Sequence, residues 1–205
     1  MFEKFPSLTR FSHGWTITEK LDGSNGAIII VPITTEEDVP TRTHVLEQVN
    51  GFYVLAQSRN KLLDLTKQGD SYGFARFVHD NAEALVRTLG EGRHFGEWVG
   101  AGIQRRYDMK EKVFALFNTH RWTDVELPDR VRVVPVLAQG YLGEPGAAFA
   151  ETMHNLKQWG SIFAPGFMNP EGIVMRHGPS GTLFKKTFDY DEQGKWAENQ
   201  ARKAG

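Results

Sequence analysis

A lysine followed directly by turn-forming residues has the clearest chemical potential in this sequence. It opens the segment Lys20-Leu21-Asp22-Gly23-Ser24-Asn25. A lysine amine is a nucleophile only in its neutral form, which burial or nearby cations favour. A Gly-containing turn beside the amine would let a bulky nucleotide approach closely. An ordinary exposed lysine before a hairpin turn has the same local pattern, so this segment alone leaves both interpretations open.

Other common catalytic arrangements are absent from the sequence. The 205 residues include no cysteine, which excludes disulfides, thiolate metal sites and thiol nucleophiles. There is no Gly-rich phosphate loop ending in Lys-Ser/Thr, no Gly-x-Ser-x-Gly elbow and no His-Glu-x-x-His pair. No two of the seven histidines have the helical spacing of metal ligands. Zinc and serine hydrolase chemistry therefore has no support.

Alternating residues predict that Lys20 lies at the end of a strand. Residues 15–21 alternate and place Lys20 on a polar side with two threonines, and the turn cluster then leads into the β-rich run 27–33. This pattern is typical of a β-hairpin with Lys20 at its mouth. The same reasoning predicts further strands at 52–58, 94–99, 113–118, 131–138, 172–176 and 182–188.

Two amphipathic helices are predicted, at 72–89 and 147–159. A chain of 205 residues with 40% hydrophobic residues is long enough for one well-packed domain, and we expect a single core. The fold class predicted from these elements is α+β, with mainly antiparallel sheets flanked by helices.

Five segments, in order along the chain, resemble the motifs of the covalent nucleotidyltransferases. This superfamily comprises DNA ligases, RNA ligases and mRNA capping enzymes. The first segment is the Lys20 segment, which resembles the nucleophile motif. The others are Phe95-Gly96-Glu97-Trp98, Val113 to Thr119, Glu171-Gly172-Ile173-Val174-Met175 and Phe184-Lys185-Lys186.

Further segments are similar to the ATP-dependent RNA ligases, in the branch that is common in phages and includes RNA-editing ligases. They are Phe5-Pro6-Ser7, Glu19, Ser58-Arg59-Asn60, Ile103-Gln104-Arg105, and Gly160-Ser161 with Ala164-Pro165-Gly166. The resemblance implies an adenylation domain of the ligase and capping-enzyme type that uses ATP and Mg²⁺, or Mn²⁺. It also implies a partner, RNA or RNA-containing ends with a 5′-phosphate and a 3′-hydroxyl, and a role in nucleic-acid repair.

The resemblance assigns roles in nucleotide binding to residues of several segments. Lys20 would attack the α-phosphorus of ATP, release pyrophosphate and become adenylylated. Arg59 would contact the ribose or a phosphate, and Glu97 a ribose hydroxyl. Phe117 would stack on adenine, with Phe114 as the alternative ring. Glu19, which would help to read adenine, and Asn25 complete the nucleotide-binding set.

Metal and phosphate contacts are assigned in the same way. Glu171 would help to position the metal ion on the ATP phosphates, and Asp22 would assist the metal or orient the nucleophile. The fifth motif departs from the family pattern of two lysines separated by one residue. Because Lys185 and Lys186 are adjacent, they point to opposite faces of a regular strand, so only one reaches the phosphates. Lys185 is preferred, Lys186 is second and Lys195 is an outside candidate.

The resemblance also leads to expectations about domains and location. We expect a nucleotidyltransferase domain at 1–190, a short C-terminal tail at 191–205 and no separate OB-fold or other C-terminal domain. No apolar run is long enough to span a bilayer, so a cytoplasmic protein of a bacterium or a phage-infected cell is expected, without a membrane partner. The oligomeric state is not predicted. The alternatives are a DNA ligase, a capping-type guanylyltransferase and a non-catalytic nucleotide- or RNA-binding module.

The charge balance limits how a nucleic acid could be held. The formal net charge of -1 argues against binding through bulk positive charge. A local patch is available, because basic residues surround Tyr107, whose ring could stack on a base. The alternative is a solvated loop. The basic residues are Arg105, Arg106, Lys110 and Lys112.

Overall fold

A computed structural model describes Ser7 and residues 14–33, 44–141 and 145–189. The chain divides into two compact units. Unit 1 combines Met1–Lys20 with Pro135–Gly205, and unit 2 is Leu21–Val134. The division after Lys20 therefore separates the lysine from the turn residues that follow it in the sequence.

Unit 2 contains a six-stranded sheet in the order β3-β4-β2-β5-β6-β7. All of its strand pairs are antiparallel except the last, β6 with β7. Two helices pack on the sheet and bury aromatic and aliphatic side chains against it, with Phe74 4.9 Å from Phe114 between ring centres. The strands are β2 (Ser24–Pro32), β3 (Glu47–Val49), β4 (Phe52–Ser58), β5 (Gly92–Gly100), β6 (Lys112–Leu116) and β7 (Val131–Val133), and the helices are α1 (Phe74–Asp80) and α2 (Ala82–Leu89).

Unit 1 contains a four-stranded antiparallel sheet in the order β10-β9-β1-β8. The side chains of Ile17 and Ile173 on one face of this sheet cluster with Met153 and Leu156 of helix α3. The opposite face carries Lys20, because alternate residues of a strand point to opposite sides. The elements are β1 (Trp15–Lys20), β8 (Val136–Gly140), α3 (Gly146–Trp159), β9 (Gly172–His177) and β10 (Leu183–Thr187).

The predicted α+β class with mainly antiparallel sheets is confirmed, whereas the predicted hairpin at Lys20 is wrong. Strand β1 pairs with β8 and β9, and β2 pairs with β4 and β5. The intervening turn is bonded to side chains of unit 2, because the Asp22 N–H donates to the Tyr107 hydroxyl and the Gly23 N–H to the Glu97 carboxylate. Turn-forming residues between two strands therefore mark a change of sheet here.

Two predicted elements are each divided in the structure. The helix predicted at 72–89 breaks at Asn81, whose side-chain amide donates to the Phe77 carbonyl at 2.8 Å and competes with the helical pattern. The strand predicted at 131–138 divides at Pro135, which has no N–H for a sheet ladder. Its two halves, β7 and β8, belong to different sheets. The expected single core is replaced by separate clusters of buried side chains in the two units.

Candidate active site

Lys20 and Glu171 form an ion pair in unit 1. Lys20 is the last residue of β1 and pairs with Gly172, the first residue of β9, so that Glu171 lies beside it. The Lys20 Nζ lies 2.5 Å from the Glu171 Oε2. Their side chains are 23% and 16% exposed. The amine is therefore hydrogen-bonded and mostly sheltered, with part of the side chain still exposed.

The strand register distinguishes the two adjacent lysines of β10. Lys185 pairs with Val174, which in turn pairs with Thr18 of β1. Since Thr18 and Lys20 share a face, Lys185 shares it too. Two strand spacings of about 4.8 Å and one step of two residues separate the Cα atoms of the lysines, a gap that two extended side chains can close.

Lys186 belongs to the opposite face. It pairs with Ile173, whose side chain lies in the cluster against helix α3. The register therefore places Lys185, the lysine preferred from the sequence, on the Lys20 side of the sheet and Lys186 on the other side.

Glu19 is directed away from the Lys20 face and into a loop of unit 1. It is 1% exposed, and its carboxylate accepts hydrogen bonds from the Ser161 hydroxyl and from the N–H groups of Ile162 and Phe163. Burial raises the pKa of Glu19, although the hydrogen bonds oppose this shift. The side chain therefore organises the loop, and the backbone N–H of Glu19 donates to the Pro135 carbonyl at 3.0 Å.

The turn after Lys20 is held by side chains of unit 2. The Asp22 carboxylate accepts a hydrogen bond from Arg105 Nε at 3.1 Å, and its backbone N–H donates to Tyr107. The next N–H, that of Gly23, donates to Glu97 Oε1 at 3.2 Å. A Cβ at Gly23 would collide with the backbone of β5, so this close approach requires glycine.

Four predicted nucleotide-binding residues lie at neighbouring levels across the unit 2 sheet. Asn25 pairs directly with Glu97, and Arg59 follows the strand end that pairs with Gly26. Phe117 follows β6 and donates its N–H to the Phe95 carbonyl. These residues therefore come from the start of β2, the ends of β4 and β6, and the middle of β5.

Exposure separates the two candidate stacking rings. Phe117 is 42% exposed, whereas Phe114 is fully buried in the core of unit 2. Phe114 is therefore a core residue, and Phe117 is the ring that a base could reach. Arg59 is also exposed, as a ligand-binding cation at a strand end would be.

Carboxylates of the kind that bind a phosphate-held metal ion occur in each unit, at Glu171 in unit 1 and at Asp22 in unit 2. Within the described ranges, no group of three His, Cys, Asp or Glu side chains is placed to hold a metal ion. Mg²⁺ in phosphoryl-transfer sites is commonly held by one or two carboxylates together with substrate phosphates. Glu171 and Asp22 each supply hard oxygen atoms of this kind, although both are engaged by a cationic side chain.

The basic segment around Tyr107 has a different arrangement from the stacking patch considered in the sequence. Tyr107 is 2% exposed, so its ring is not available to a base. Arg105 is paired with Asp22, and Lys112 donates to the Tyr72 carbonyl at 2.7 Å. The segment instead packs against the turn after Lys20.

Two contacts of the site were not predicted from the sequence. Ser161 was noted only as part of a similar segment, and its bond to Glu19 joins residues 142 positions apart. Tyr107 was considered only as a stacking ring. Several residues named from the sequence lie outside the described part of the chain, namely Phe5, Pro6, Lys195 and the tail at 191–205.

Comparison with known proteins finds a matching family and similar solved structures. The family model described as RNA ligase matches residues 13–188. The similar structures include several of an RNA ligase from Naegleria gruberi. A mutant with ATP and Mn has a TM-score of 0.56 at 18% identity, and an apo mutant has 0.53 at 19% identity.

Each of these two alignments covers 92% of this chain and 52% of the other. The chain thus spans about half the length of those structures. At this identity the likeness concerns the fold. The search of curated proteins gives no match.

None of the helices in the described residues has the length and apolar character that a membrane span requires. The match to the family model covers all five motif-like segments, from Lys20 to Lys186. The chain belongs to the RNA ligase family.

Proposed function

We propose that this chain is an ATP-dependent RNA ligase whose nucleophile is Lys20. The observation that carries the proposal is the pairing of Lys20 with Glu171 at 2.5 Å, with Lys185 on the same face of the sheet. A non-catalytic binding module would not need a sheltered amine with a proton acceptor beside it. Membership of the RNA ligase family supports the same chemistry.

The first step would transfer AMP to the lysine. The Lys20 ammonium loses a proton to the hydrogen-bonded Glu171 carboxylate, and the neutral nitrogen then attacks the α-phosphorus of ATP. A nitrogen–phosphorus bond forms, the bond to the bridging oxygen breaks, and pyrophosphate leaves. Lys185 would neutralise charge that develops on the phosphate oxygens. A divalent ion on the ATP phosphates would supply further charge neutralisation, and Glu171 would become one of its ligands once its carboxyl group has released the proton to solvent.

The next two steps would complete ligation. An oxygen of the RNA 5′-phosphate attacks the phosphorus of the lysine-bound AMP and frees Lys20. The 3′-hydroxyl then attacks the activated 5′-phosphate, and AMP leaves. Arg59, Glu97 and Phe117 of unit 2 would hold the sugar and the base of the nucleotide, with Asn25 beside Glu97.

The first experiment measures covalent labelling of the full chain with α-labelled ATP and Mg²⁺ or Mn²⁺. Lys20→Arg keeps the positive charge beside Glu171 but removes the nucleophile, so it should fold and take up no label. Lys67→Ala, at an exposed lysine of unit 2, should label like the wild type. A wild type without label would contradict the proposal and favour a non-catalytic module.

The substrate is tested with the same preparation. Label from GTP in place of ATP would indicate a capping-type enzyme. Sealing of a nicked DNA duplex in preference to RNA ends that bear a 5′-phosphate and a 3′-hydroxyl would indicate a DNA ligase. The proposal expects ATP and RNA ends to be used.

The two adjacent lysines provide a matched pair of variants. Lys185→Ala should lower the rate of labelling by about a hundredfold, a typical effect of removing one group that stabilises a transition state. Lys186→Ala changes the same residue type one position along the strand, on the face towards helix α3, and should have a much smaller effect. Equal losses from both variants would contradict the assignment of Lys185.

A further inference from the structure

The loop at residues 103–108 has an unusual backbone. Four of its residues, none of them glycine, have positive φ angles: Gln104 (41°), Arg106 (60°), Tyr107 (53°) and Asp108 (51°). This conformation is costly for residues with a Cβ and persists only when surrounding contacts impose it. Such strain is concentrated at functional sites, which makes the contacts of this loop informative.

Backbone hydrogen bonds within the loop hold this conformation, and two of its side chains contact Asp22. The buried Tyr107 places its hydroxyl 2.7 Å from the Asp22 backbone nitrogen and accepts its hydrogen. Arg105 holds the Asp22 carboxylate at 3.1 Å. One residue is thus fixed through its main chain and its side chain by neighbouring positions of the same strained loop.

Asp22 is the second residue after Lys20, so its contacts lie next to the proposed nucleophile in the chain. The turn has no strand partner at this point, because β1 and β2 belong to different sheets. Its N–H groups are bonded instead to the Tyr107 hydroxyl and to Glu97. Asp22 is joined to Lys20 through Leu21 alone, so a side chain that fixes the Asp22 peptide group restrains the backbone that continues from the lysine.

We propose that Tyr107 is a positioning residue for the nucleophile. Its hydroxyl fixes the peptide group of Asp22, and the strained loop keeps that hydroxyl in place. Tyr107 acts through Asp22 and does not contact ATP. This inference rests on the proposed function, because it assigns a role in the labelling of Lys20.

The test compares Tyr107→Phe with Tyr53→Phe in the full chain. Tyr107→Phe removes only the hydroxyl and leaves the Asp22 N–H without its acceptor, while Tyr53 lies on β4 outside this arrangement. Single-turnover labelling is measured over a range of ATP concentrations. The maximal rate of Tyr107→Phe should fall about tenfold, as expected for the loss of one hydrogen bond to a sheltered donor. The ATP concentration at half-maximal rate should stay within about twofold of wild type, because the nucleotide contacts are intact.

A second measurement separates positioning from loss of folding. Amide hydrogen exchange of Asp22 should be faster in Tyr107→Phe than in Tyr53→Phe, at a temperature where urea titration shows both to be folded. A wild-type maximal rate in Tyr107→Phe would overturn the positioning role while leaving the proposed function intact. A wild type that takes up no label would instead refute the proposed function and, with it, the catalytic role of Tyr107.

Discussion

Two loops hold the carboxylates that flank Lys20 in the sequence, and they hold them in different ways. The Glu19 loop, residues 160–164 of unit 1, surrounds a carboxylate that is 1% exposed and accepts three hydrogen bonds. The Asp22 loop, residues 103–108 of unit 2, pairs with a carboxylate whose side chain is 32% exposed. The first loop buries the carboxylate that it binds, whereas the second has a strained backbone and leaves its carboxylate partly exposed.

Because of this difference, we expect the Glu19 contacts to affect stability and the Asp22 contacts to affect the geometry of the catalytic site. A buried carboxylate with three donors cannot be removed without leaving those donors unsatisfied, which makes Glu19 important for folding. A partly exposed ion pair such as Asp22 with Arg105 contributes little to stability because water screens it. The Asp22 contacts are therefore expected to matter mainly for the position of the backbone after Lys20. Substitutions in the two loops should differ in their effect on the free energy of unfolding.

The largest loss of stability is expected from Glu19→Ala. The variant leaves the Ser161 hydroxyl and the N–H groups of Ile162 and Phe163 without their acceptor, which should lower the free energy of unfolding by about 3 kcal/mol or more. Urea titration followed by fluorescence measures the change. Glu151→Ala, at an exposed carboxylate of helix α3, is the control and should stay within about 0.5 kcal/mol of wild type. Equal losses of unfolding free energy in the two variants would contradict the role in stability that is expected for the Glu19 loop.

A smaller loss is expected from Ser161→Ala. The Ser161 hydroxyl donates to Glu19 at 2.5 Å and accepts from the Ala164 N–H at 2.9 Å. Its removal should cost about 1–2 kcal/mol, since Glu19 keeps its two backbone donors. The same titration measures this value, and a loss as large as that of Glu19→Ala would show that the hydroxyl alone organises the loop.

The contrast between the loops also shows what the sequence can and cannot predict. The strand at Lys20 follows from local alternation, and the site residues follow from motifs that occur in order along the chain. The change of sheet after Lys20 depends instead on the close approach of Gly23 to β5, which no local pattern records. The same holds for Ser161 and Tyr107, whose hydroxyls meet partners 142 and 85 residues away. Tyr107 and its basic neighbours, considered as one surface patch, differ in burial because the fold turns only the tyrosine inwards.

The raised pKa of Glu19, a residue of unit 1, predicts that the stability of the folded protein depends on pH. The folded protein holds this proton more tightly than the unfolded chain, whose reference pKa is 4.5. The resulting stabilisation is complete below that value and is lost as the pH rises through the folded pKa. Glu19→Gln does not titrate, so the stability of wild type relative to this variant should fall as the pH rises above 4.5 and then level off. Urea titrations from pH 4 to pH 8 test the sign, and a relative stability that increases over this range would contradict it.

The smallest effect on stability is expected from Asp22→Asn. The substitution removes the charge paired with Arg105 but keeps the size of the side chain and the backbone bond to Tyr107. Because the pair is partly exposed, the free energy of unfolding should fall by less than about 1 kcal/mol. Labelling of Lys20 should nevertheless slow, since the variant loosens the turn and weakens a ligand proposed for the metal ion. A stability loss matching that of Ser161→Ala, with labelling unchanged, would mean that the Asp22 loop is built for folding, as the Glu19 loop is, and that its strained backbone serves no catalytic purpose.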